Sequence, residues 1–162
     1  MRILLIYCLA FAFGSVSSFS ALAEQGQDHP LVPRLPGYKI ESYSQRDFDA
    51  YNEDIFSDSK PVLHFHAEGR VTQIWYDTLG KPLSDLAVLR NYQNALKAIG
   101  ATEVNVHSNP GVVHVMKLVR DNREIYVAIL PQNIQYKLTI IESSPMQQLI
   151  SANEMRDALV KN

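Results

Sequence analysis

The sequence is almost without cysteine and has no large excess of charge of either sign. Cys8 is the single cysteine among 162 residues, so no disulfide can form within the chain. Lysine and arginine number 15 against 17 aspartate and glutamate residues, a formal net charge of −2. Proteins that bind nucleic acid through its phosphates have a clear basic excess, so this balance argues against a nucleic-acid partner.

Long apolar runs are also scarce, and the one that exists lies at the N-terminus. Residues 3–13 (ILLIYCLAFAF) follow Arg2 and precede a serine-rich stretch that ends in Ala21-Leu22-Ala23. A membrane-spanning helix needs about 20 apolar residues, so this run is too short to cross a bilayer. A basic start, a short apolar run and small residues before the cleavage point are typical of a secretory signal peptide. We therefore expect cleavage after Ala23 and a periplasmic or outer-membrane-associated protein.

Removal of residues 1–23 leaves 139 residues, no cysteine and a net charge of −3, because Arg2 is lost. A chain of this length can bury one hydrophobic core without disulfides, and it is expected to have no transmembrane segment. Residues 24–37 contain three prolines and two glycines, a composition that predicts an extended lead-in. We expect the folded domain over residues 38–142 and a helical segment or connector over residues 143–162.

Alternating apolar residues predict several strands with short connections. The expected elements are a strand at 38–43, an irregular edge segment or loop at 44–60, a hairpin of 62–67 and 70–78 around Glu68-Gly69, a strand at 102–107, a hairpin of 112–120 and 123–130 around Asp121-Asn122, and a strand at 134–141.

Two helices are predicted from spacing and capping signals. Residues 84–99 carry apolar side chains at steps of three and four, with Ser84 to cap the start and Gly100 to end the helix. Ser151 and Glu154 match a capping box for a C-terminal helix from about residue 152. The predicted fold class is α+β: mainly antiparallel sheet of about six or seven strands, with one long helix packed on one face and a short C-terminal helix.

Three groups of residues resemble the N-terminal domain of OmpA-like cell-envelope proteins. They are residues 28–31 (DHPL) with the prolines and glycine up to residue 37, residues 68–72 (EGRVT) with 89–92 (LRNY), and residues 140–143 (IIES) with 153–155 (NEM). In that family the domain precedes a peptidoglycan-binding domain, which would begin beyond Asn162. The resemblance therefore implies an envelope location and an envelope protein as partner, and we expect no direct peptidoglycan binding by this chain.

The sequence offers one candidate metal site. His64 and His66 are two residues apart on a predicted strand, so both imidazoles project from the same face and can reach one Zn²⁺ or Cu²⁺ ion. His107, on the polar side of another predicted strand, is a candidate third ligand. The alternative is that the histidines lie on a solvated sheet face, in which case no cofactor is expected. His114 shares its register with Met116 and Leu118 and is expected in the core.

No pattern in the sequence predicts nucleophilic catalysis. No serine lies in a Gly-x-Ser-x-Gly setting, and the expected mature chain has no cysteine. The sequence is therefore interpreted as a non-catalytic exported cell-envelope domain with a protein-interaction or structural role. The alternative is a small periplasmic metal- or ligand-binding protein that uses a histidine-bearing sheet face.

Overall fold

The computed structural model describes residues 26–58 and 60–160, so the predicted signal peptide at residues 1–23 lies outside the described residues. The strands are β1 (Tyr38–Ser57), β2 (Lys60–Thr78), β3 (Thr102–Glu103), β4 (His114–Arg120), β5 (Arg123–Gln132) and β6 (Gln135–Ser143), and the helices are α1 (Asp85–Ala98) and α2 (Ala152–Val160). The strands form an antiparallel sheet in the order β1-β2-β6-β5-β4-β3. Within these ranges, neither helix has the length and apolar content that a membrane crossing requires.

The first two strands are much longer than the sequence pattern predicts. β1 has 20 residues and β2 has 19, and they pair as far as Ser57 and Lys60. Residues 44–60 are predicted as an irregular edge segment or loop; they do lie at the sheet edge, but most of them belong to the regular strand β1. Its polar residues suit an edge strand, where solvent reaches one side of the ladder. The predicted turn at Glu68-Gly69 is wrong, since both residues lie inside β2.

Gly69 marks the place where this hairpin bends. Its φ is +150°, and a Cβ atom added there would lie 2.2 Å from the backbone oxygen of Glu142 in β6. On the other side of β2, β1 has an irregularity in register between Arg46 and Asp49. Gly69 pairs with Ser143 at the end of β6, so the far half of the hairpin continues without that neighbour. Glycine is required here because the backbone of β6 passes where a side chain would be.

The far half of the hairpin covers one face of the sheet, which we call the hairpin face. Its buried residues, Tyr51, Ile55, Phe65 and Ala67, form one apolar cluster with Val71, Val115, Ala128 and Ile141. Asn105 anchors the hairpin tip: its side-chain amide donates to the backbone oxygen of Phe56 at 2.9 Å and accepts from the Val115 N–H at 2.8 Å. The hairpin therefore returns to the segment that follows β3.

The opposite face, which we call the helix face, is covered jointly by α1 and the lead-in. Ser84 caps α1 by accepting from the Ala87 N–H, and the helix buries Val88, Leu89, Tyr92 and Leu96. Tyrosine hydroxyls hold the lead-in: Tyr136 accepts from the Leu35 N–H at 2.9 Å, and Tyr92 donates to the Pro33 carbonyl at 3.0 Å. These bonds satisfy backbone groups of a segment that belongs to neither helix nor sheet.

The predicted fold class is therefore wrong. The described chain is mostly antiparallel sheet with two short helices of 14 and nine residues, and no long helix packs on one face. The error follows from the first hairpin, because its polar edge strand and its internal glycine both resemble loop signals. The predicted strand at 102–107 is also shorter, since β3 contains only Thr102 and Glu103.

Candidate functional site

The structure does not bring the three candidate metal ligands together. His64 and His66 lie on the exposed outer surface of the hairpin, where their Nδ1 atoms contact Asp54 at 2.6 Å and the Asn52 side-chain oxygen at 2.7 Å. His107 lies after β3 and faces Asp58, with 3.7 Å between Nε2 and Oδ1. No group of three or more histidine, cysteine, aspartate or glutamate side chains in the described ranges is arranged to hold a metal ion.

His114 lies in the core, as its register predicts. It is 1% exposed, and its Nε2 atom is 3.1 Å from the backbone oxygen of Asn109. Burial lowers the pKa of His114, so the imidazole is neutral at pH 7. Its Nδ1 atom has no hydrogen-bond partner among the described residues.

A cleft that the sequence did not predict opens at one end of the helix face. Its volume is about 1220 Å³. The lead-in, β1, β2, the end of β6, the hairpin of β4 and β5 and the residue after α1 all contribute to its lining. The lining side chains are Gln27, His29, Pro30, Leu31, Gln45, Arg70, Ile99, Leu118, Val119, Arg120, Asp121, Arg123, Ile125 and Glu142. We call it the arginine cleft. Drug-sized ligands occupy pockets of about 300–1,000 Å³, so the space suffices for a small molecule or a short segment of chain.

The floor of the arginine cleft is one row of side chains across four strands. Arg70 on β2 pairs with Glu142 on β6, Glu142 pairs with Ile125 on β5, and Ile125 pairs with Leu118 on β4. Directly opposed residues of neighbouring strands project from the same face of the sheet. The row therefore changes from charged at β2 and β6 to apolar at β5 and β4.

The charged half of the floor forms a connected group. The Nε2 atom of His29 lies 3.7 Å from the Glu142 carboxylate, and a guanidinium nitrogen of Arg70 lies 4.0 Å from the same carboxylate. His29 accepts the Leu31 N–H at its Nδ1 atom, which leaves Nε2 to carry the proton toward Glu142. Burial lowers the pKa of His29, and Glu142 opposes this effect only in part. The group therefore holds neutral histidine between a carboxylate and the lead-in backbone.

The other end of the cleft carries two arginines at opposed positions of neighbouring strands. Arg120 and Arg123 are directly paired across the β4–β5 turn, and both line the cleft. Asp121 approaches Arg120 at 3.9 Å, but this pair is highly exposed and contributes little. Like charges directly opposite each other on neighbouring strands destabilise a sheet. An anion bound between these two guanidinium groups would relieve that repulsion.

The cleft combines residues from most of the chain, and this explains why periodicity and spacing did not reveal it. His29, Arg70 and Glu142 are more than 40 residues apart in the sequence, yet they are neighbours in the structure. Each belongs to one of the three groups of residues on which the expectation of a family resemblance is based. The sequence shows these groups only as three separate short patterns and does not show that they are neighbours in the fold.

The chain leaves the sheet beside the cleft and continues into an exposed C-terminal segment, residues 144–160. Its helix α2 begins with a reciprocal capping box, in which the Ser151 N–H donates to the Glu154 carboxylate at 2.7 Å. The segment exposes large apolar side chains, with relative exposures between 59% and 81%: Met146, Leu149, Ile150, Met155, Leu159 and Val160. Apolar side chains that form a contiguous exposed patch are typical of contact surfaces.

No protein-family model matches the chain, and no curated protein matches it.

Proposed function

We propose that this protein is an exported, non-catalytic domain of the cell envelope that binds another envelope molecule in the arginine cleft. The observation that carries the proposal is the directly opposed pair Arg120 and Arg123 at the mouth of an open cleft. Two exposed guanidinium groups at opposed positions can bind one anion through charge-assisted hydrogen bonds.

The location part of the proposal rests on other features. Residues 1–23 have the charge and hydrophobicity of a signal peptide, and the quoted stretches resemble the N-terminal domain of OmpA-like envelope proteins. The exposed apolar side chains of the C-terminal segment suit a docking helix or a connector to a further part of an envelope assembly.

A binding experiment with isolated envelopes tests the proposal. The protein, purified in the form in which it accumulates in cells, is mixed with salt-washed envelopes and the bound fraction is measured after sedimentation. The double variant Arg120→Gln, Arg123→Gln removes both charges from the cleft mouth and is expected to lose most of the binding. Added salt is expected to weaken binding of the parent protein, because the contact is between charges near the surface.

A matched control removes the same number of charges elsewhere. Lys39 and Arg46 are exposed on β1 and do not line the cleft. The variant Lys39→Gln, Arg46→Gln should bind envelopes like the parent protein. Equal binding by the cleft variant and the parent would show that the arginine cleft is not the recognition surface.

A further inference from the structure

The two ends of the arginine cleft differ in net charge, and this difference limits how a charged ligand can lie in it. At the β2–β6 end, Arg70 already faces the carboxylates of Glu142 and Asp47, at 4.0 Å and 3.6 Å. An anion placed there would meet the charge of Glu142. At the other end Arg120 and Arg123 occupy opposed positions with exposed side chains, and Asp121, 3.9 Å from Arg120, is one carboxylate against their two positive charges. The negative group of a ligand therefore belongs at the β4–β5 turn.

Apolar side chains lie between the two ends, among polar groups such as Gln27 and Gln45 that also line the cleft. Leu118 and Ile125 form the floor, Leu31 of the lead-in forms one wall, and Ile99 at the end of α1 is 52% exposed on the other side. A peptide lying on this floor would place its own N–H and C=O groups against carbon, and such groups are costly to bury without partners. An alkyl chain has no polar groups and gains free energy from the same contact.

We propose that the ligand of the cleft is a single-chain anionic amphiphile. This inference specifies the ligand class of the same site and rests on the proposed function above. Its carboxylate or phosphate head binds between Arg120 and Arg123, where guanidinium groups form charge-assisted hydrogen bonds with both kinds of anion. Its alkyl chain lies over Ile125 and Leu118 toward Leu31. Free fatty acids and single-chain phospholipids both have this chemistry.

Titration with defined probes tests the proposal. Decanoate and decyl phosphate, each below its micelle concentration, are added to the ¹⁵N-labelled protein, and amide shifts are followed. We expect saturable shifts confined to the lead-in, the β4–β5 turn and the end of β6. Removal of each methylene from the chain should weaken binding roughly two- to fourfold, as expected for apolar burial in an open cleft. The tighter of the two probes identifies the head group.

Variants separate the head from the chain. Arg120→Gln with Arg123→Gln should weaken decanoate binding about tenfold or more, which corresponds to the loss of charge-assisted hydrogen bonds. Ile99→Ser should weaken decanoate more than acetate, because it removes apolar surface and no charge. The variant Lys39→Gln, Arg46→Gln serves as the control and should bind decanoate like the parent.

Several outcomes would overturn the proposal. Acetate or inorganic phosphate binding as tightly as the long-chain probes would show that the floor contributes nothing. Decanol binding as tightly as decanoate, with no effect of the arginine variant, would remove the head-group contact. Binding to anionic vesicles or to a glutamate-rich peptide without binding of monomeric amphiphile would assign another ligand class.

The test also separates this inference from the proposed function. If the arginine variant loses envelope binding but neither amphiphile binds the parent protein, the cleft recognises something else and only the inference fails. If the arginine variant keeps full envelope binding and neither amphiphile binds, both proposals fail.

Discussion

Gly69 is the position where one added methyl group should disturb the fold most. It lies inside β2 at the bend of the long hairpin, with a φ of +150° that alanine adopts only under strain. A Cβ atom at this position would be 2.2 Å from the backbone oxygen of Glu142 and 2.9 Å from the Cα atom of Ser143. These are main-chain atoms of a paired strand, so they cannot turn away as a flexible side chain would.

The magnitude follows from two contributions. An unfavourable backbone dihedral at a residue with a side chain costs about 1–3 kcal/mol. Forcing extra volume into a packed contact costs about 1–3 kcal/mol more, because β6 must move. We therefore expect Gly69→Ala to lower the free energy of unfolding by about 4 kcal/mol, a large share of the 5–15 kcal/mol typical of whole domains.

Urea unfolding, followed by the fluorescence of Trp75, measures this change against two matched glycines. Gly100 also has a positive φ, +94°, but has nothing within 4 Å of an added Cβ atom, so Gly100→Ala reports the dihedral contribution alone. Gly80 has neither feature, and Gly80→Ala should change stability by less than about 1 kcal/mol.

The ranking of the three variants by their free energies of unfolding tests whether the backbone of β6 lies this close to Gly69. If Gly69→Ala is no more destabilising than Gly100→Ala, then β2 and β6 do not approach each other as closely as described. The explanation of the hairpin bend would then be wrong.

Four further expectations can be measured directly. Tyr136→Phe should destabilise the protein by about 1–3 kcal/mol, because the Leu35 N–H loses its buried acceptor. Burial raises the pKa of Tyr136 to about 12, above the value near 10 in the unfolded chain. Stability that is present below pH 10 should therefore be lost as the pH rises toward 12. The decrease in the free energy of unfolding over this pH range should be smaller in Tyr136→Phe. A large excess of Zn²⁺ or Cu²⁺ should leave the melting temperature unchanged; a rise that disappears in His64→Ala, His66→Ala would instead support the histidine site. Intact mass of the exported protein should correspond to an N-terminus at Glu24, and retention of residues 1–23 would contradict the predicted cleavage. The same protein should stay in the supernatant when peptidoglycan sacculi are sedimented, whereas saturable binding competed by soluble muropeptides would contradict that expectation.

Local signals in the sequence predicted local structure well. Ser84 and Gly100 bracket α1, and Asp121 and Asn122, both with positive φ, form the turn between β4 and β5. These elements are determined by neighbouring residues, whose capping and turn preferences can be read directly.

Structure that depends on distant residues was predicted poorly. Gly69 has the same sequence signal whether it makes a turn or lets another backbone pass, and only the position of β6 distinguishes the two. Thr139 alternates with the apolar residues of β6 and yet is fully buried, because the returning hairpin covers the second face of that strand. The arginine cleft depends on strand order, which places His29, Arg70 and Glu142 together and which no local pattern contains.

The position of β6 beside β2 also determines when the protein can finish folding. β2 emerges early in synthesis, but its second neighbour, β6, is the last strand in the described part of the chain: Thr72 pairs with Ile140. Pairings of such sequence separation form slowly, because a long loop must close before any contact compensates for its lost entropy. Until then the backbone groups of β2 that face β6 have no partner strand. A fragment that stops before β6 lacks the strand that lies between β2 and β5, so its two hairpins cannot join into one sheet.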